Sequence, residues 1–169
     1  MKKDFFNEEK IMFAKVKGNA IIPTKRDEDA GYDLYACFDN EYIIINPLET
    51  KLIPTGIATA IPTDYYFQIE ERGSTGSKGI KKSAGIIDSG YRNEIFVAIT
   101  NCNNKPLVIT KESNTDYLED DYIVYPYNKA IAQMILHRVY NLKTEEISYD
   151  DLIKIPSERG LGALGSSEK

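Results

Sequence analysis

The chain predicts an all-β fold, a sandwich, barrel or jelly roll, on three observations. Its apolar segments are short and rich in β-branched or aromatic residues, as at Ile43-Ile44-Ile45, Tyr65-Tyr66-Phe67 and Leu107-Val108-Ile109. Pro, Gly and Asn punctuate them at regular spacing, as turns punctuate strands. A helical pattern is confined to one stretch, from Thr144-Glu145-Glu146 to Asp150-Asp151-Leu152. At 169 residues the chain is long enough for one domain with a real core and too short for two comfortable ones.

The net charge of −5 excludes a broad basic surface, so no nucleic-acid partner is expected, while a few local cations still suit a small phosphate ligand. No run reaches transmembrane length, and residues 1–10 lack the apolar core of a signal peptide. No membrane partner and a cytoplasmic location are therefore expected. Cys37 and Cys102 have no metal-binding spacing and read as small buried thiols of a reducing compartment. His137 is the only histidine and reads as structural, which leaves no multi-histidine metal site.

Taken in order, Met12 to Val16 reads as a strand and residues 24–28 as a charged loop. Asp33 interrupts the strand-like run from Asp29 to Ala36 and needs a partner if buried. Strands follow at 43–45, 51–54, 56–62 and 65–70. Glu71 to Gly79 is dense in small and hydroxyl residues between Arg72 and Lys78, a composition that suits an anion cradle and a flexible linker alike. Residues 84–92 with Ile95, Phe96, Val97 and Ile99 read as a β-hairpin whose Asp88-Ser89-Gly90-Tyr91 tip presents a carboxylate beside a ring. After a turn at 101–105 and a strand at 107–109, the acidic residues 112–121 read as an exposed loop, and 122–125 as a strand. Ala130 to Leu136 reads as a buried strand or a short core helix, with Gln133 there for a hydrogen bond. The Gly- and Ser-rich residues 156–169 suit a frayed terminus or a strap closing on a polyanion.

Five of these stretches, in order, resemble the motif series of the homotrimeric dUTP diphosphatases (dUTPases). They are Asp29-Ala30-Gly31-Tyr32-Asp33-Leu34-Tyr35, Arg72-Gly73-Ser74-Thr75-Gly76, 85–92, Ile131-Ala132-Gln133, and Arg159-Gly160 through Gly165-Ser166-Ser167. The resemblance implies a distorted jelly-roll domain over 1–155, with an insertion near 112–128, and a tail over 156–169 that closes the active site of a homotrimer. It implies hydrolysis of dUTP to dUMP and pyrophosphate, with Asp88 orienting and deprotonating the attacking water. Tyr91 would exclude a 2′-hydroxyl, and main-chain groups around Gly85 and Phe96 would read uracil. Arg72, Gly73, Ser74, Gln133, Arg159, Ser166 and Ser167 would contact phosphates. Mg²⁺ would be held by phosphates and water, with Asp33 in the outer shell and no direct protein ligand.

Several residues depart from the family pattern. Gly73 stands where a serine usually follows the arginine, so the hydroxyl is expected from Ser74 or Thr75. Leu164 replaces the aromatic that stacks on uracil, and Asn128-Lys129-Ala130 replaces Gly-Asp-Arg. The alternative enzyme is a dCTP deaminase or a bifunctional relative. A protein partner docking at the insertion is the alternative of a different class.

Overall fold

A computed structural model describes residues 9–118 and 120–162. Among the described residues, twelve strands carry the fold: β1 (Met12–Lys15), β2 (Gly31–Tyr35), β3 (Tyr42–Ile45), β4 (Thr50–Pro54), β5 (Ile57–Ala60), β6 (Tyr65–Glu70), β7 (Ile80–Lys82), β8 (Ile86–Asp88), β9 (Phe96–Asn101), β10 (Leu107–Thr110), β11 (Ile123–Pro126) and β12 (Ala130–Arg138). Two single-turn helices are α1 (Gly73–Gly76) and α2 (Tyr149–Leu152), and a 3₁₀ turn covers Asp116–Leu118. The strands form four small sheets, ordered β1-β5, β11-β10-β3, β2-β12-β6-β8 and β4-β9-β7. The predicted all-β, jelly-roll-type class is what the chain adopts.

Alternation explains how the four-stranded sheet faces the core. In β6, Phe67 and Ile69 are buried, whereas Tyr66, Gln68 and Glu70 point outward. Directly paired residues share a face, so Asp33 of β2 and Gln133 of β12 stand outward in line with Glu70, and Asp88 of β8 stands outward beside Tyr66. The inner face supplies Leu34, Phe67, Ile69 and Met134 to one core shared with Ile45, Ile53, Val97 and Ile109 of the other sheets. The segment at 130–136 is therefore a strand, and Gln133 lies at its half-exposed outer face.

Three expectations are corrected or refined. The apolar runs around Asp88 do not form a two-stranded hairpin: β8 pairs with β6, and β9 pairs with β4 and β7. Their spacing resembles a hairpin, but each pairs with strands of a different sheet. Cys37 is buried, while Cys102 is exposed at a turn beyond β9. The loop after Arg72 contains a helical turn because Thr75 brackets it, with its hydroxyl bonded to the Arg72 N–H and carbonyl, each at 3.0 Å. All ladders among the described residues are antiparallel save one, β10 with β11, where Ile109 stands opposite Tyr125.

The chain divides into two compact units, 1–139 and 140–169. In the second, α2 realises part of the helical stretch expected at 144–152. Ser148 caps it by accepting the Asp151 N–H at 3.1 Å, and Asp150 and Asp151 favour its positive end. No helix among the described residues is long and apolar enough to cross a membrane.

Candidate active site in two halves

The outward residues of β2 and β12, with the start of α1, wall a cavity of about 690 Å³. Asp33, Arg72, Gly73, Ser74 and Gln133 line one side, and the charged Thr24-Lys25-Arg26 loop lines the other. Asp33 has the partner its position demanded: its Oδ1 lies 3.0 Å from Arg72 Nε, each side chain about one-third exposed. Arg72 Nη1 also makes a long 3.4 Å contact to the Ala130 carbonyl. Gln133 Nε2 donates to the Glu71 carbonyl at 2.9 Å, which joins β12 to the end of β6. A Cβ on Gly31 would lie 2.6 Å from Gln133 Oε1, so only glycine lets this amide lie across β2.

The question of the second-motif hydroxyl has a geometric answer. Thr75 is buried and its Oγ1 is engaged on both sides by Arg72, while Ser74 is exposed and lines the cavity. Ser74 is the hydroxyl available to a ligand. Asp29 of the first motif belongs to the same cavity, as do Lys25 and Arg26, which the sequence offers only as part of a charged loop. Arg26 grips Asp29 through Nε and Nη2, both at 2.8 Å, and this grip with the Arg26 N–H holds the Asp29 carboxyl below its usual range. The signal of Lys25 and Arg26 was a run of charges directly before the first motif.

The second half is built on β8. The Asp88 carboxylate is exposed, and the Tyr91 N–H closes the turn onto the Asp88 carbonyl at 3.0 Å. Tyr91 donates its hydroxyl to the Glu94 carbonyl at 2.8 Å, which fixes its ring. Arg92 ties the same turn through the Ser89 and Tyr91 carbonyls. Glu94 Oε1 accepts the Gly56 N–H at 2.7 Å and anchors the loop to the body. A Cβ on Gly85 would lie 2.7 Å from the Ile69 carbonyl, and Gly85 in turn accepts the Ile69 N–H at 2.7 Å. Phe96 opens β9 opposite Pro54 with its ring partly exposed.

One chain does not bring the halves together. The ladders set Asp88 three strands across and four residues along from Asp33, about 20 Å at ~4.8 Å per strand and ~3.3 Å per residue. Among the described residues no group of three His, Cys, Asp or Glu side chains is arranged to hold a metal. Arg159 lies in the second unit, where its Nε donates to the Gly162 carbonyl at 3.0 Å. Leu164, Ser166 and Ser167 lie outside the described residues.

The family model described as dUTPase matches residues 18–114, which span the first three motifs. Deoxyuridine 5'-triphosphate nucleotidohydrolase of Wolbachia pipientis wMel is 40% identical over 146 residues, covering 83% of this chain and 81% of the relative. The protein of the same name from Leptospira interrogans is 29% identical over 163 residues, covering 94% and 98%. The Staphylococcus bacteriophage 80alpha dUTPase with dUPNHPP superposes with a TM-score of 0.73 at 20% identity, over 96% of this chain and 100% of that one, and so agrees in fold. More than half of the sequence fits one family model, and the residues of its motifs line a polar cavity and a separate exposed turn, so the chain belongs to the dUTPase family.

Proposed function

We propose that this protein hydrolyses dUTP to dUMP and pyrophosphate, as a homotrimer whose sites are shared between chains. The observation that carries the reading is the split site. The phosphate-binding side, with Asp33 and Gln133, and the carboxylate turn at Asp88 share one outward sheet face, yet the ladders set Asp88 about 20 Å from Asp33 and about 16 Å from Gln133 in one chain. A general base works only within about 3 Å of the proton it takes. Two copies that face each other bring one chain's turn onto the other's cavity.

In that arrangement Asp88 accepts a proton from the water that attacks the α-phosphorus, and pyrophosphate leaves. Arg72 and Ser74 hold phosphate oxygens by charge-assisted and hydroxyl hydrogen bonds, with Gln133 beside them. The Tyr91 ring, fixed at Glu94, lies under the deoxyribose and leaves no room for a 2′-hydroxyl. Gly85 and Phe96 main-chain groups read the uracil edge. Arg159, Leu164, Ser166 and Ser167 of a third chain's tail close the site.

The donor set fits Mg²⁺ held chiefly by substrate. Mg²⁺ keeps waters and takes one or two carboxylates plus phosphates rather than an all-protein cage, and one oxygen of Asp33 is engaged by Arg72. When bound it neutralises phosphate charge and polarises the phosphoryl oxygens. Asp33 would hold water beside the ion while its other contact keeps Arg72 in place. The reaction would keep uracil out of DNA and supply dUMP for thymidylate synthesis. We place it in the cytoplasm, in keeping with the two free cysteines.

The test is a product assay with dUTP, dCTP, dTTP and UTP in Mg²⁺. Pyrophosphate from dUTP alone is expected. Ammonia from dCTP would replace the reading with a deaminase, and comparable turnover of UTP would remove the role given to Tyr91.

A further inference from the structure

Tyr125 is 4% exposed, on the strand that follows the acidic loop. A tyrosine this buried retains its hydroxyl only where the hydroxyl has a partner. Here it donates to the Ala130 carbonyl at 2.6 Å. That carbonyl is also the acceptor that Arg72 Nη1 approaches at 3.4 Å. It belongs to the first residue of β12, and the register of β12 against β2 shifts between Ala130 and Ala132. Such a break re-aims main-chain groups. Ala130 has no polar side chain, so its main chain is what the two donors share. Burial raises the Tyr125 phenol, and the Ser74 hydroxyl and the Arg72 guanidinium beside it pull the other way.

The geometry points to Tyr125 as a positioning residue for the phosphate-binding cavity: through the Ala130 carbonyl it holds the Arg72 guanidinium, and with it Ser74, toward the ligand. This rests on the reading of the cavity as a phosphate site. Asp33 fixes Arg72 at Nε from the outer face, and Ala130 with Tyr125 behind it limits the guanidinium from the core side. An arginine held at both ends loses less side-chain freedom when an oligophosphate arrives. Tyr125 touches no substrate atom itself.

The test is a double-mutant cycle between Tyr125→Phe and Arg72→Ala. It is read by calorimetric binding of Mg²⁺-tripolyphosphate and by the KM and kcat for dUTP. Tyr125→Phe keeps the ring and is expected to weaken tripolyphosphate binding and raise KM about threefold to tenfold, the range of one neutral hydrogen bond, with kcat little changed. In the Arg72→Ala background it should leave the residual tripolyphosphate binding unchanged. A purely structural role would lower the active fraction, hence kcat, and leave KM unmoved. An unmoved KM, or an equal penalty in both backgrounds, would overturn the inference. Should Tyr125→Phe fail to fold, ring-labelled tyrosine NMR on the unaltered protein decides instead: the Tyr125 resonance is expected to move on adding Mg²⁺-tripolyphosphate, and a still resonance overturns the assignment. A protein that binds tripolyphosphate with this coupling but leaves dUTP intact would defeat the proposed reaction and keep the inference. No tripolyphosphate binding at all would defeat both.

Discussion

Gly31 and Gln133 touch so closely that neither can be understood alone. A methyl on Gly31 would meet the Gln133 amide at 2.6 Å and its Cβ at 2.9 Å, both parts of a side chain that is tied to Glu71. Gly31→Ala should therefore destabilise the fold by about 1–3 kcal/mol, the usual cost of overpacking, and raise KM for dUTP as Gln133 is displaced. Denaturant unfolding and initial rates check the two effects. Asp88 faces no such constraint, because its carboxylate is exposed on the last residue of β8. Asp88→Asn should leave the melting temperature unchanged and cut kcat by about 10²–10⁴, the range of general-base help. Near-normal pyrophosphate release by that variant would remove the base from the mechanism. Asp88 was singled out in the sequence by its turn signal, whereas Gly31 stood there only as one member of the first motif. Tyr125 was not singled out, since its pattern is that of any strand residue and Arg72, which approaches the same carbonyl, lies far away in sequence.

The acidic stretch takes on a different meaning at the level of elements. In the sequence it is an exposed loop or a docking site, whereas the structure makes it the return path between β10 and β11, which run parallel. A parallel pair needs a crossover of about a dozen residues, roughly what Lys111 to Tyr122 supplies. Lys105 Nζ bonds the Asp120 carbonyl at 2.7 Å, and the Tyr122 N–H bonds the Leu118 carbonyl at 2.8 Å, which shapes that path. Shortening it by deleting residues 113–120 should unpair β11, lower the melting temperature and raise KM through Tyr125. A deletion protein as stable and as active as the parent would return the segment to the status of a dispensable loop. The split between β8 and β9 has a related cause: strand propensity identifies both runs, but only burial of Ile87 against Phe67 and of Val97 against Ile53 decides which sheet each joins.

For the molecule as a whole, the separated halves lead to a complementation test. Asp88→Asn and Arg72→Ala chains are each expected to be nearly inactive alone. If every site joins one chain's cavity to another chain's turn, refolding them together at equal amounts should restore about a quarter of the normal sites by random assortment in a closed oligomer. A site contained within one chain would give no recovery, which steady-state pyrophosphate release would reveal. By itself the sequence determined the all-β class and the order of five motifs, and it named the candidate site residues. Strand alternation, turn chemistry and catalytic residue types are local properties, written within a few positions of one another. Only the tertiary structure decided that Ser74 rather than Thr75 faces the cavity, that β8 leaves β9 for β6, and that Tyr125 backs Arg72. The β8–β6 pairing and the approach of Arg72 to the Ala130 carbonyl join distant segments, and the cavity that Ser74 lines exists only once those segments have come together.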